Sequence, residues 1–353
     1  MKLMMVTDAW TPQINGVVFT LGHTARELTR MGHEVTLIQP GMFRSVPCPT
    51  YPEIRLSLTT VKSVSRLIEQ HDPDAVHIAT EGPLGMAARR SMMRWGRPFT
   101  TAYHTRFPEY LHARTRLPIG LTYRWLKRFH GAASRTMVPT AGVRDDLIAN
   151  GFDPHRVVVW ARGVDLNVFQ HEAPAGAQLA PSGKRPIFLY AGRIAIEKNL
   201  DAFLKLKLPG EKWVIGGGPA LASMKARYPD ARFFGPMNHE ALARHYRMAD
   251  VFVFPSLTDT FGLVLLEAMA CGCPVASLPA RSTQDVLGNS GAGVVSEDLR
   301  EACLQALTIP RHVPAEYARR FSWENVTQTF YQYLQPVWPQ HQTASRPSEQ
   351  AAL

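Results

Sequence analysis

The stretch "IFLYAGRIAIEKNLDAFLKL", Ile187 to Leu206, decides how the rest of the chain is read. Ile187–Tyr190 is an apolar run of strand length. Gly192 lets the backbone turn, and "LDAFLKL" after Asn199 has apolar residues at helical spacing. Outward from this unit the same order repeats. Towards the C-terminus stand Trp213–Ile215, Arg232–Phe234, Val251–Phe254, Val275–Leu278 and Val294–Val295. Towards the N-terminus stand Val157–Trp160, Thr136–Val138, Phe99–Tyr103, Ala75–Ile78, Val35–Ile38 and Leu3–Val6. Helix-like stretches lie between several of these, such as "FTLGHTARELTRMGH", stopped by Gly32. Strands alternating with helices imply an α/β protein with parallel, doubly wound sheets, and the pattern occurs twice.

The break between the halves is "QHEAPAGAQLAPSGKRP", Gln170 to Pro186, rich in Pro, Ala and Gly and without periodicity. The 353 residues suffice for two domains that each bury a core. The expected division is residues 1–170 as an N-terminal domain on the acceptor and membrane side, and 171–318 as a C-terminal domain that binds the donor. A helix within 319–339, "FSWENVTQTFYQYL", is expected to return to the first domain, and the polar 340–353 to be disordered. With 45% hydrophobic and 19% charged residues the composition is that of a soluble globular protein. Cys48, Cys271, Cys273 and Cys303 show no zinc spacing, so reduced thiols are expected. "MKLMMVTDAW" is too short for a secretory signal core, and no run approaches membrane-spanning length. These features point to a cytoplasmic protein, or one peripheral on a membrane.

The charge becomes informative once located. The net charge is +10, and between Met86 and Arg135 eleven Lys and Arg face Glu109 alone, which matches that whole excess. Trp95, Tyr110, Tyr123, Trp125 and Phe129 are interleaved with them. Concentrated basic charge with aromatics points to an anionic partner, either membrane or nucleic acid. In "YRWLKRFHGAASR" the cations Arg124, Lys127 and Arg128 stand beside Trp125 and Phe129, which suits a helix lying in a membrane interface. A solvated helix face is the plainer alternative. No nucleic-acid-binding motif accompanies the charge.

Ligands of doubly wound sheets bind beyond the carboxyl ends of strands, so chemistry is sought there. After Ile187–Tyr190 come Arg193 and Lys198, with Asn199 opening a helix: two cations at a helix start suit a diphosphate. After Trp213–Ile215 comes "GGGP", Gly216 to Pro219, where a planar base could lie against backbone. After Leu3–Val6 comes "TDAWTPQINGVV", with Asn15 and Gly16 opening the first helix. No G-x-G-x-x-G occurs, which argues against a nicotinamide or flavin cofactor. "TDTFGLVLLEAMACGCPV", Thr258 to Val275, carries Asp259 before a Phe-Gly turn and Glu267 inside an apolar helix that ends at Gly272. A buried carboxylate without partners is costly, so Glu267 requires a polar group to meet it.

These motifs, "GR" at 192–193, "EKN" at 197–199, "GGGP", "ADVFVFPS" at 249–256 and D-T-F-G-x4-E-A-M-A-x-G-x-P-V, resemble retaining glycosyltransferases of the GT-B fold, family 4. The resemblance covers nearly the whole chain, with five motifs in order. It implies two Rossmann-like domains facing across a cleft. "PQINGVV", "EGPLG" at 81–85, "YHTRFPEY" at 103–110 and "RGVD" at 162–165 narrow it. They look like the branch of lipid glycosyltransferases such as sulfoquinovosyl- and glucuronosyl-diacylglycerol synthases, and of GDP-mannose-dependent α-mannosyltransferases.

By that resemblance Asp259 and Glu267 occupy the two positions of the family's Glu-x7-Glu pair. Glu267 would bind the ribose hydroxyls. Asp259, shorter than the family's Glu, would reach the donor sugar directly or through a water, beside the backbone of Thr260, Phe261, Gly262 and Leu263. Arg193 and Lys198 would hold the diphosphate, Gly16 would let its loop approach it, Arg162 would assist, and Gly217 and Gly218 would lie by the base. His104 would sit near the donor sugar. The implied reaction retains anomeric configuration and needs no metal or further cofactor, the leaving diphosphate being stabilised by fixed cations. No D-x-D follows a strand to suggest otherwise. The expected function is transfer of a hexose or hexuronic acid from a UDP-sugar to diacylglycerol or a ceramide-like lipid, at the inner face of the cell membrane. The rivals are a GDP-mannose-dependent α-mannosyltransferase and an inactive nucleotide-sugar-binding protein.

Overall fold

A computed structural model describes residues 1–13, 15–48, 51–104, 108, 116, 118–172, 185–259 and 261–337. The chain forms two compact units. The first comprises residues 1–139, 143–160 and 327 onwards, the second residues 140–142 and 161–326. The Gln170–Pro186 linker lies for the most part outside the described residues, as does the expected disordered tail.

In the first unit β1 (Lys2–Val6), β2 (Glu34–Ile38), β5 (Ala75–Ile78), β6 (Thr100–Ala102), β7 (Arg135–Val138) and β8 (Val157–Val159) form one parallel sheet, ordered β2-β1-β5-β6-β7-β8. A separate antiparallel pair, β3 (Ser45–Cys48) and β4 (Tyr51–Ser57), joins β2 to the next helix. The first helix starts at Gly16, earlier than apolar spacing alone suggests. Asn15 caps it, Oδ1 accepting from the amides of Val17 and Val18, both at 3.0 Å. The core against the sheet is built from Met4, Val6, Ile68, Ile78, Leu84, Met92 and Phe99, each nearly solvent-free. Strands covered on both faces explain why these runs are continuously apolar instead of alternating.

The second unit repeats the plan. Its strands β9 (Ile187–Ala191), β10 (Glu211–Ile215), β11 (Arg232–Gly235), β12 (Val251–Phe254), β13 (Val275–Ser277) and β14 (Gly293–Val295) are ordered β11-β10-β9-β12-β13-β14, all parallel. The change of unit comes at 160/161, before the expected boundary at 170. The reason is local: Val164 bridges to Ser322, and Phe169 lies in the second unit's core. The C-terminal helix Trp323–Tyr333 belongs to the first unit from Thr327 on, where Phe330 packs against His77 and Trp160 at ring-centroid distances of 4.8 Å each.

Strand order reverses between β1 and β5 in the first sheet and between β9 and β12 in the second. Such switch points open a crevice at the carboxyl ends of the strands, where this class of sheet binds its ligands.

Candidate active site

At the second unit's switch point the loops after β9 and β12 meet. Lys198 Nζ bonds Asp259 Oδ1 at 2.5 Å, with side chains only 20% and 18% exposed. Asn199 is left-handed (φ 53°) and donates from Nδ2 to the Pro255 carbonyl at 3.2 Å, which fixes one loop to the other. Asp259 Oδ2 is buried and has no hydrogen-bond partner among the described residues. A buried acceptor left open this way costs free energy that an incoming donor group would recover. Arg193 is exposed; its carbonyl accepts from Tyr190 Oη at 2.8 Å, and burial holds the Tyr190 phenol well above its usual range.

The glycine loop has a backbone reason. At Gly216 (φ 131°) a Cβ would stand 1.9 Å from the Gly192 carbonyl oxygen, so only glycine lets the loops after β9 and β10 close on one another. Ile194 donates to the Gly217 carbonyl at 2.9 Å, which stitches the same two loops. Gly217 is half-buried and Gly218 exposed.

Glu267 lies on the helix Leu263–Ala270, which Gly262 starts in the left-handed region (φ 83°). The partner that the sequence required is Tyr246, whose Oη donates to Oε2 at 3.3 Å. One long bond does not offset burial, and the Glu267 carboxyl is pushed up to about 7 by it. Phe261 is buried in the core, so only its backbone remains for a ligand, and Leu263 is half-buried. Thr260 lies outside the described residues. Arg162 is buried, and desolvation pushes its guanidinium down to about 9.

In the first unit Gly16 is exposed at the helix start and His104 follows β6, its ring edge-on to Trp160 at 6.0 Å. Of "YHTRFPEY", residues 105–107, 109 and 110 lie outside the described residues. The basic helix spans Ile119–His130. Arg124, Trp125, Lys127 and Arg128 are exposed, and so is Leu121. Phe129 is a correction to the membrane face: it is 2% exposed, packs in the core, and has the Arg89 guanidinium 5.8 Å from its ring. Phe129 is covered with Leu126 and Tyr123, and the ring of the half-exposed Trp125 lies stacked on it at 6.2 Å.

Two family models match the chain: one described as Glycosyltransferase Family 4 over residues 14–168, and one described as Glycosyl transferases group 1 over residues 175–307. A GDP-mannose-dependent alpha-mannosyltransferase of Mycobacterium tuberculosis is 30% identical over 321 residues, 83% of this chain and 83% of that one. This chain is a family 4 glycosyltransferase. A sulfoquinovosyl transferase of Arabidopsis thaliana is 30% identical over 299 residues, 76% of this chain and 57% of its own. Among solved structures, sucrose-phosphate synthase from Thermosynechococcus elongatus superposes with a TM-score of 0.77, covering 94% of the glycosyltransferase and 97% of that chain at 19% identity. Together these show the GT-B fold and a glycosyltransferase.

Sequence reasoning about this glycosyltransferase missed Tyr246 and the pairing of Lys198 with Asp259. "EKN" and "DTFG" were each visible, but nothing in the intervening residues says that the two loops meet. Asp8, just after the first strand, is a further residue the sequence does not single out. In the structure it is buried and accepts from Thr80 Oγ1 at 3.0 Å and from the amides of Leu84 and Gly85 at 2.9 and 3.2 Å. Burial holds its carboxyl above the usual range against those bonds. Among the described residues no helix is long and apolar enough to cross a membrane.

Proposed function

We propose that this glycosyltransferase moves a hexose or hexuronic acid from a UDP-sugar to the hydroxyl of a membrane lipid, diacylglycerol or ceramide-like, with retention and without a metal. The observation that carries the lipid reading is the outer stripe of the helix Ile119–His130. Leu121, Arg124, Trp125 and Arg128 recur there at helical spacing and all are exposed, Trp125 by 40%. An exposed tryptophan among cations pairs apolar insertion with attraction to anionic headgroups. The enzyme would then work as a peripheral protein at the inner face of the cell membrane.

In this reading the donor binds at the second unit's switch point. Lys198 and Arg193 meet the diphosphate, Glu267 the ribose hydroxyls, and Gly217 and Gly218 lie beside the base. Asp259, with an open oxygen, takes a sugar hydroxyl directly or through a water, with the backbone of Thr260, Phe261, Gly262 and Leu263 beside it. His104 stands near the donor sugar, Gly16 lets its loop approach the diphosphate, and Arg162 supports the site from within. The acceptor oxygen bonds the anomeric carbon as the bond to the diphosphate breaks, and the acceptor proton passes to a phosphate oxygen. These two cations stabilise the leaving charge in place of a metal.

GDP-mannose as donor is the second reading, favoured by the mycobacterial relative's dependence on it. The test is incubation with a panel of UDP- and GDP-sugars and extracted lipid, with products identified by mass spectrometry and the reaction repeated in chelator. The expected result is one glycosylated lipid from a UDP-sugar at a rate the chelator leaves unchanged. A mannosylated product formed only from GDP-mannose would establish the second reading. Co-sedimentation is expected with anionic vesicles and little with neutral ones. Arg124→Glu/Lys127→Glu/Arg128→Glu should weaken it, each cation contributing about 1 kcal/mol. Equal binding to both vesicle types would refute the electrostatic part.

A further inference from the structure

The roles above leave one polar constellation of the first unit unused. Glu81 follows β5, beside the reversal of strand order between β1 and β5. Its Oε1 faces His130 Nε2 at 3.1 Å. The His130 side chain is 0% exposed, whereas Glu81 keeps 24% of its side chain exposed. The other ring nitrogen, Nδ1, lies 2.9 Å from Thr101 Oγ1. Thr101 has a single hydroxyl proton and donates it to Thr136 Oγ1 at 3.3 Å. The contact of Nδ1 with the Thr101 hydroxyl holds the other edge of the ring. A carboxylate oxygen only accepts, so the 3.1 Å contact is a hydrogen bond donated by the Nε2–H of the buried ring to Oε1.

The consequence is a carboxyl group aimed by a buried partner. Turning Oε1 away would strand the buried ring's proton without an acceptor. The backbone is fixed as well: Thr80 before Glu81, and Leu84 and Gly85 after it, all bind Asp8. Oε2 makes no hydrogen bond among the described residues, and the residual exposure of the side chain is on a loop at the ligand-binding edge of the sheet. A structural strut needs only Oε1. A preorganised, open oxygen is what a hydroxyl donor requires.

We propose that Glu81 is an acceptor-binding residue, its Oε2 taking a hydrogen bond from the hydroxyl that is to be glycosylated, and that His130 is the positioning residue that aims it. The proposal deepens the transferase reading above and rests on it, since it requires an alcohol acceptor.

The test is steady-state kinetics of the full chain with UDP-glucose and GDP-mannose as donors. Dioleoylglycerol in mixed micelles and free glycerol serve as two hydroxyl probes, with donor hydrolysis followed separately. Glu81→Gln keeps the shape and can still accept from His130, so the fold should persist; the melting temperature checks this. It should lower kcat/KM for the glycosylated probe by about 10- to 100-fold, the worth of one hydrogen bond to a charged group. Calorimetric affinity for UDP and GDP, and the hydrolysis rate, should stay within about twofold, because neither needs this bond. His130→Asn should show the same acceptor-side loss, and Glu81→Asp should recover part of it. Equal losses in transfer, hydrolysis and nucleotide affinity would make Glu81 a strut, and unchanged transfer would remove it from the acceptor site. Glycosylation of glycerol in preference to dioleoylglycerol would instead break the lipid reading, and the Glu81 assignment would stand or fall on the glycerol rates.

Discussion

Asp8 and Asp259 each stand beside the switch point of a sheet of the same plan, on opposite sides of the reversal, and they are used in opposite ways. Asp8 follows β1 and is buried with three donors from Thr80, Leu84 and Gly85. Asp259 follows β12 and has one, the Lys198 ammonium, with Oδ2 left open. Backbone amides at the start of the helix Pro83–Arg94 hold Asp8, and they cannot leave without unwinding that helix. Lys198 is a flexible side chain that a diphosphate can recruit. The same residue type beside a switch point is thus a strut where backbone amides hold it. Where its partner is a side-chain cation, one of its oxygens is left open.

The contrast is broken most directly at Lys198. Lys198→Ala should cost about 2–4 kcal/mol of transition-state stabilisation, as removal of one preorganised charge does, and Arg193→Ala a similar amount. Release of nucleoside diphosphate under single-turnover conditions reads this. An unchanged rate would leave Lys198 as nothing more than the mate of Asp259.

Glu267 sharpens the comparison through pH. Its carboxyl is raised from 4.5 to about 7 by burial. Between those values the folded chain holds a proton that the unfolded chain has lost, so stability falls as pH rises across the window and levels off above it. The change is about 3 kcal/mol for a shift of this size. Glu267→Gln should flatten that slope in urea unfolding. Ribose hydroxyls prefer the ionised form, so affinity for the nucleoside diphosphate should rise from pH 6 towards 8, by about a factor of ten per unit below the midpoint. A flat calorimetric profile would sink the ribose assignment.

Asp8→Asn tests the strut. Replacing one acceptor oxygen by a donor amide against the Leu84, Gly85 and Thr80 donors should destabilise by about 1–3 kcal/mol. Nucleotide affinity should be untouched. Weakened binding without lower stability would place Asp8 with Asp259 instead of opposite to it.

Tyr246→Phe should have the smallest effect, about 1 kcal/mol of stability for one long hydrogen bond. That bond lowers the Glu267 carboxyl's pKa, so its loss should move the pH midpoint of nucleotide binding upward. A midpoint that stays put would mean that burial alone sets it.

Much of the frame was open to reading in the residues. Every strand of the two large sheets follows from an apolar run, because parallel strands covered on both faces need no polar alternation. The antiparallel pair 45–48 and 51–57 did not, since Pro47 and Pro52 interrupt it and no alternation marks a buried face. Glu267 in an apolar helix announced that something polar must meet it. Tyr246 as that partner was not announced, because it stands on another helix among residues that equally suit a core. Phe129 was misplaced for a related reason: charge and aromatic content describe a stretch, and only the packing of its helix says which face is covered.

By itself, then, the sequence determined where the strands of the two large sheets run and where they end, because periodicity and composition act along the chain. Only the tertiary structure decided which loops meet. Lys198 and Asp259, and Glu81 and His130, are brought together by strand order. That order is set by how helices cover the faces of a twisted sheet, and no local spacing encodes it.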